Sequence, residues 1–193
     1  MNTNFSRWVI SAIGGALLMG GTAIAEEKGV DWKALKAAKI SLSKGLAAAQ
    51  QKGKPISGKF EMEDGKLQLS VYTANKGKFS EVIVDYKSGK ISKSEEIKEG
   101  DDLSHAVGQE KAMAKAKKSL RAVADKAVAG NTGYRAVSVV PSLEQGKPMA
   151  TIVLENATGT KTVSEKLDCV VPSVSRCPRG HSPRPNVRSR TRG

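Results

Sequence analysis

One order of segments occurs twice in this chain, and it limits the folds that the chain can adopt. In each copy an amphipathic helix precedes two strands of alternating apolar and polar residues, which a turn with a Gly-Lys pair joins. The helices begin at Ser41-Leu42 and Ser119-Leu120, and the turns lie at Asp64-Gly65-Lys66 and Gln145-Gly146-Lys147. Repeated units of this kind usually stack or lie side by side on a shared buried face.

The periodicity predicts helices and strands in matching places in both copies. Apolar residues at positions i, i+4 and i+7 give each predicted helix one buried stripe. The stripes are Leu42, Leu46 and Ala49 in the first copy and Leu120, Ala124 and Ala127 in the second. Predicted strands cover residues 56–62, 67–73, 79–86, 134–140, 149–154 and 163–168. The predicted fold class is therefore α+β, with two units that each pack a helix on a small antiparallel β-sheet.

The limits of the first helix leave one alternative open. Asp31 is a predicted N-cap, and the apolar spacing allows one helix to continue from there to Gln51, although Ser41 can equally restart it. Gly53 and Pro55 are expected to end this helix. Glycine adopts the left-handed closing conformation, and proline cannot continue the hydrogen-bond ladder.

Residues 95–102 contain five acidic residues and separate the two copies. We expect a solvated linker whose last acids lie near the positive end of the next helix. Calcium binding is the alternative, although the Asp-x-Asp-x-Asp-Gly spacing is absent from this stretch. One helix is then expected over residues 103–129. Its basic residues Lys111, Lys115, Lys117 and Lys118 are expected opposite Met113, Leu120 and Val123.

The first 25 residues have the pattern of an export signal. Arg7 precedes an apolar run over residues 8–19, and Ala23-Ile24-Ala25 has the small residues that signal peptidase prefers. A helix that spans a bilayer needs about 20 apolar residues, so this run is too short for an anchor. We expect cleavage before Glu26 and a mature protein, without a transmembrane anchor, that is periplasmic or secreted.

Residues 169–193 differ sharply in composition from the rest of the chain. They hold six arginines, four of the seven prolines and both cysteines, but no lysine and no acidic residue. One interpretation is a disordered basic arm for nucleic acid or an anionic membrane. The other is translation past an ancestral end, through a lost stop or a shifted frame. On either interpretation the segment lacks the apolar periodicity to fold alone, and we expect it to be disordered. A disulfide between Cys169 and Cys177 suits an oxidising compartment, but it would close only a small loop outside the core.

The repeated part of the sequence lacks the residue patterns of an enzyme. Its one histidine, His105, lies beside Ala106 and Val107 at a predicted helix start, so we expect it at the surface or as a cap. Metal-binding, phosphate-loop and nucleophile motifs are absent from the sequence, and neither catalysis nor a cofactor nor a metal is predicted. Lysines are dispersed among acids without stacking aromatics, so nucleic acid is not a predicted partner.

Residues 82–91 follow the pattern hydrophobic-x-hydrophobic-Asp-x-x-x-Gly-Lys-hydrophobic. Together with the helix of residues 40–49 and the Asp64-Gly65-Lys66 turn, this motif resembles the PepSY domain. The second copy is similar in its helix, its turn and residues 163–168, but it lacks the closing Gly-Lys-Ile segment.

The resemblance implies exported units of a helix on an antiparallel sheet, often in tandem. Such domains occur in propeptides of thermolysin-like metalloproteases, which they help to keep inactive, and as free periplasmic proteins; no catalytic or ligand residues come with the family. We therefore predict two PepSY-like units, residues 26–98 and 99–168, in a non-catalytic module that binds a protein partner and inhibits or regulates a peptidase. The alternative is an envelope protein that binds anionic surfaces or polyanions through the basic face between Lys111 and Arg121. The oligomeric state stays open.

Overall fold

The computed structural model describes residues 30–168 as a sequence of four helices and seven strands. The helices are α1 (Trp32–Lys36), α2 (Leu42–Ala49), α3 (Gly100–Lys115) and α4 (Leu120–Ala129). The strands are β1 (Lys54–Glu63), β2 (Lys66–Asn75), β3 (Lys78–Val84), β4 (Ile91–Ile97), β5 (Arg135–Glu144), β6 (Lys147–Asn156) and β7 (Gly159–Lys166).

All seven strands belong to one antiparallel sheet with the order β4-β3-β2-β1-β5-β6-β7. The halves meet where β1 pairs with β5, with Gly58 opposite Val139 and Lys59 opposite Ser138. The α+β class with antiparallel strands is confirmed. The prediction of a small sheet in each unit is wrong, because one larger sheet runs through both halves. Pairing satisfies backbone groups of β1 and β5 that would otherwise form exposed edges.

The first hairpin of each half has the same backbone geometry at its turn. Asp64 and Gly65 have φ angles of 48° and 74°, and Gln145 and Gly146 have φ angles of 49° and 77°. Positive φ at both central residues is typical of the type I′ turn, whose twist matches that of the adjoining strands. The sequence repeat is thus reproduced in the backbone.

The first strand of each half also shifts its register at the equivalent position. The shift lies between Pro55 and Ser57 in β1 and between Ala136 and Ser138 in β5. An irregularity of this kind bends a strand and increases its local twist. Both central strands therefore bend at matching points.

Helices cover both faces of the sheet. Successive strand residues point to opposite faces, and Gly58 of β1 faces α2, whereas Ser57 donates a hydrogen bond of 2.7 Å to Gln109 of α3. α4 lies beside α2, and the Ser43 hydroxyl donates to the Asp125 carboxylate over 2.5 Å. The sheet therefore lies between α3 on one face and the pair α2 and α4 on the other.

The predicted apolar stripes form the core beneath α2 and α4. No residue of either stripe is more than 3% exposed. Opposite them lie fully buried residues of the sheet, among them Phe60, Leu69, Val71, Val82 and Ile152. Each such large side chain contributes about 1.5–3 kcal/mol on burial, so this shared layer is a main source of stability.

The first predicted helix is divided into two. Asp31 caps α1 as predicted, and its carboxylate accepts from the Lys33 N–H. The main-chain N–H groups of Lys39 and Ile40 donate to the Tyr86 carbonyl, and Ser41 then caps α2. A continuous helix to residue 51 is therefore wrong, and the restart at Ser41 is confirmed.

Gly53 has a different role from the one expected. α2 already ends at Ala49, and Gly53 is not among the residues with positive φ in the described part of the chain. A Cβ at this position would lie 2.8 Å from the Ala74 carbonyl oxygen of the neighbouring strand. Glycine is needed here because two backbone segments approach closely.

The second predicted helix is interrupted as well, so one helix over residues 103–129 is wrong. Ala116 is extended, with ψ 137°, and the N–H groups of Lys117 and Lys118 both donate to the Leu167 carbonyl. Ser119 then caps α4 by accepting from the Ala122 N–H. A contact with the residue that follows β7 thus redirects the chain.

The acidic stretch 95–102 is not a linker, because β4 extends to Ile97 and α3 begins at Gly100. Asp101 and Asp102 lie in the first turn of α3, as expected from the helix dipole. The boundary between residues 26–98 and 99–168 falls in the short connection from β4 to α3.

Arg135 of β5 ties the two halves together at one end of the sheet. Its guanidinium donates to the carbonyls of Leu35, Ala38 and Ile40 over 2.7, 3.0 and 3.1 Å. Burial lowers the pKa of this side chain from its ordinary value. The connection between α1 and α2 is therefore held by a residue of the second half.

The predicted cleavage site at Ala23, Ala25 and Glu26 lies outside the described residues, and so do Cys169 and Cys177. None of the helices within residues 30–168 combines the length and the apolar character that crossing a bilayer requires.

Candidate functional site

His105 lies in the second turn of α3 and is half-buried. It does not cap the helix, since Glu99 occupies the N-cap position, so the expectation of a capping role is wrong. Its Nδ1 atom is buried without a hydrogen-bond partner among residues 30–168. Within the same residues, no group of three or more His, Cys, Asp or Glu side chains is arranged to hold a metal ion.

A cluster of polar side chains lies on the α3 face of the first half. The Gln68 amide donates to the Ser70 hydroxyl over 2.9 Å, and Ser70 donates to Glu61 over 2.6 Å. Tyr72, one position further along this face of β2, lies opposite Glu81 of β3. Sequence reasoning missed this cluster because its members come from three strands and alternate with core residues.

Two members of the cluster have strongly raised pKa values. Burial raises the pKa of Glu81 from 4.5 to about 7, and the nearby charges of Glu61, Asp102 and Glu63 act in the same direction. Burial also raises the pKa of Tyr72, with further contributions from Glu81 and Asp102. A carboxyl group that titrates near neutral pH is often functional. Asp102, one of the acidic residues whose charge raises this pKa, lies in the first turn of α3.

Basic residues around the connection from α3 to α4 line a cavity of about 270 Å³. We call Lys54, Lys117, Lys118 and Arg121 the cationic rim of this cavity. Lys54 comes from the start of β1, and its ammonium donates to the Met113 carbonyl over 3.0 Å. No acidic residue is among the described residues that line the cavity.

The predicted basic face between Lys111 and Arg121 is not one face of a helix, because the chain breaks between α3 and α4. Of the basic residues in this segment, only Lys117, Lys118 and Arg121 line the cavity. Lys115 instead donates to the Gly146 carbonyl at the β5–β6 turn over 3.3 Å. The sequence offered no signal for Lys54, which is 59 positions away from its contact Met113.

The two edges of the sheet differ in their side chains. On β4, Lys93 pairs with Glu95 over 2.8 Å, and Glu96 lies within 4 Å of both Lys78 and Lys98. Charged side chains on an edge strand hinder pairing with another strand. The edge at β4 is therefore protected.

Two of the three charged side chains of β7, Lys161 and Glu165, turn towards α4 and the residues that follow it. Lys161 donates to the Asn131 side chain over 2.5 Å, and Glu165 pairs with Lys126 over 2.7 Å. The opposite face of β7 presents the exposed hydroxyl residues Thr160, Thr162 and Ser164 and, at the end of the strand, the exposed Lys166. Within residues 30–168 no strand pairs with this edge, and the side chains on its hydroxyl face are uncharged from Thr160 to Ser164.

No family model, no curated protein and no solved structure matches this chain. Membership of the PepSY family therefore stays a prediction from the sequence motifs.

Proposed function

We propose that the protein is a non-catalytic binding module that accepts an extended segment of a protein partner along the outer edge of β7. The observation that carries this proposal is a difference between the outer strands of the two halves. The outer edge of β3 is paired with β4. β7 occupies the equivalent place in the second half, and within residues 30–168 its outer edge has no neighbour.

An unpaired edge strand offers a row of N–H and C=O groups to another extended chain. Addition of a strand by main-chain hydrogen bonds is a common mode of peptide recognition, and side chains on the adjoining face supply its specificity. β7 suits this mode better than β4, because Lys93, Glu95 and Glu96 form ion pairs along the edge at β4. On β7, Lys161 and Glu165 instead bond to side chains in and just after α4.

The PepSY resemblance supports a peptidase as the partner and an extracytoplasmic location for the encounter. In that case inhibition is stoichiometric, since a bound strand masks the partner without any covalent bond being made or broken. The same reasoning implies that His105 is dispensable.

The experiment is a titration of the full-length protein against a thermolysin-like metalloprotease, with peptide cleavage as the readout. We expect inhibition that saturates near an equimolar ratio. The pair Thr162→Lys and Ser164→Lys should weaken inhibition at least tenfold, because lysines on an edge strand oppose pairing. His105→Ala should leave inhibition unchanged.

The matched control is the pair Ser92→Lys and Ser94→Lys on β4, which adds the same charge to exposed hydroxyl positions of the other edge. This pair should inhibit like the unchanged protein. Equal loss in both pairs, or no inhibition of any extracytoplasmic metalloprotease tested, would contradict the proposal.

A further inference from the structure

We infer that the cavity at the α3–α4 connection binds a small organic anion whose charged group is a phosphate or a carboxylate. The cavity joins the cationic rim to an apolar floor, which we define as Leu46, Pro55, Met113 and Leu120. This site is distinct from the β7 edge and does not depend on the function proposed for that edge.

The cationic rim carries its charge without an acidic ion-pair partner within residues 30–168. None of its four side chains forms an ion pair with an acidic residue in the described part of the chain. The ammonium groups of Lys54 and Lys118 are held by the main-chain carbonyls of Met113 and Lys166 over 3.0 and 3.2 Å. These carbonyls orient the lysines but carry no net charge, so a positive potential remains in the cavity.

The floor makes the site more than a patch of surface lysines. Leu46, Met113 and Leu120 are each at most 4% exposed, so the floor belongs to the hydrophobic core. A concave apolar surface with a few charged groups at its mouth is typical of ligand sites. An anion with a short apolar part would contact both the cationic rim and the apolar floor.

The size of the cavity limits the ligand. Its volume of about 270 Å³ is just below the range of about 300–1,000 Å³ for drug-sized ligands. A phosphate monoester or carboxylate with a short alkyl chain fits this volume, whereas a folded polyanion does not. The headgroup of an anionic lipid has the same chemistry as a free phosphate ester.

The test is calorimetric titration of the full-length protein with butyl phosphate and butyrate at low salt. We expect saturable binding of at least one of them at one site. The pair Lys117→Gln and Arg121→Gln should weaken binding at least tenfold. Ala116→Met should weaken it by a similar factor, because the longer side chain fills the cavity without changing any charge.

The matched control is the pair Lys33→Gln and Lys36→Gln, which removes two exposed charges from α1, away from the cavity. Binding to this pair should equal binding to the unchanged protein. Equal weakening by both pairs would show that only net charge matters and would overturn the inference, and so would an absence of saturable binding. Binding that persists unchanged in Ala116→Met would also overturn it.

Vesicles of phosphatidylglycerol, with phosphatidylcholine vesicles as reference, separate the two sources of the anion. Binding to phosphatidylglycerol that the Lys117 and Arg121 substitutions abolish supports a lipid headgroup as the ligand. Saturable butyl phosphate binding without vesicle binding supports a free small molecule. Vesicle binding without butyl phosphate or butyrate binding would contradict a site in the cavity.

Discussion

Glu81 is a residue whose proton affinity changes strongly on folding. Burial and the neighbouring carboxylates raise its pKa from 4.5 to about 7. A carboxyl group with a raised pKa in the folded state favours folding only where it is protonated. Its contribution is complete below about pH 4.5 and is lost as the pH rises to about 7.

We expect Glu81→Gln to remove this pH dependence. The amide has the shape of the protonated acid and does not ionise, so the variant should match the unchanged protein near pH 4. At pH 8 the variant should be more stable by up to about 3 kcal/mol, the free energy that corresponds to the raised pKa. Urea unfolding at a series of pH values measures the difference.

Glu95 provides the control, since it lies directly opposite Glu81 on β4 but its side chain is 51% exposed. Glu95→Gln should change the free energy of unfolding by less than about 1 kcal/mol, as is usual for an exposed ion pair. A difference between Glu81→Gln and the unchanged protein that stays constant from pH 4 to pH 8 would contradict the assignment.

At the scale of elements, α2 and α4 pack on the same face of the sheet. Where α2 has a small residue against a large strand residue, the corresponding positions in the second half have a larger helix residue and a small strand residue. A Cβ on Gly45 of α2 would lie 2.2 Å from Cδ2 of Leu69. Counted from the serine caps, Gly45 corresponds to Val123 of α4, and counted from the hairpin turns, Leu69 corresponds to Ala150. One half therefore combines glycine with leucine where the other combines valine with alanine, and both combinations fill similar volumes.

We expect Gly45→Val to destabilise the protein by about 1–3 kcal/mol through overpacking, and Leu69→Ala to cost about 2–5 kcal/mol through a cavity. The double variant should lose less stability than the two single variants together, by at least about 1 kcal/mol. The smaller side chain at position 69 leaves room for the larger one at position 45. A double-mutant cycle by urea unfolding measures this coupling.

Gly108 of α3 provides the control for helix propensity in the Gly45→Val variant. A Cβ at this position meets nothing within 4 Å, so Gly108→Ala should stabilise the protein by about 0.5–1 kcal/mol. Strictly additive losses at Gly45 and Leu69 would show that the two residues do not compete for the same space.

Elements with their own periodicity or turn chemistry were predictable from the sequence, and elements made by distant contacts were not. The helix stripes and both hairpin turns needed only local patterns. β4 escaped prediction because only Ile91 and Ile97 at its ends are apolar, and it becomes a strand by pairing with β3. The break before α4 depends on the Leu167 carbonyl, about 50 residues later in the chain. The cavity could not be predicted from the sequence for the same reason, since Lys54 reaches it from the other half.

On the scale of the whole molecule, the two halves share one sheet and exchange contacts on both of its faces. β1 pairs with β5, and Ser57 bonds to Gln109 on the α3 face. The opposite face has the Ser43–Asp125 bond between α2 and α4. Neither half alone would bury its central strand, and domains of this size are marginally stable.

We therefore expect fragments 30–98 and 99–168 to be unfolded when each is produced alone. Mixed in equal amounts, they should recover helical and strand signals, because the β1–β5 pairing and the shared core form only between them. Circular dichroism of the separate and mixed fragments is the measurement. Cooperative thermal unfolding of either fragment alone would show that the halves are independent.

The hydrogen bonds of Arg135 bear on how the chain folds while it is being synthesised. Leu35 lies 100 positions before the guanidinium that fixes its carbonyl, and Ile40 lies 95 positions before it. A ribosome completes the α1–α2 connection long before it adds β5, so this connection emerges without the partner that its carbonyls require. We therefore expect these carbonyls, in the part of the described chain that is made first, to gain their final hydrogen bonds only after β5 has been added.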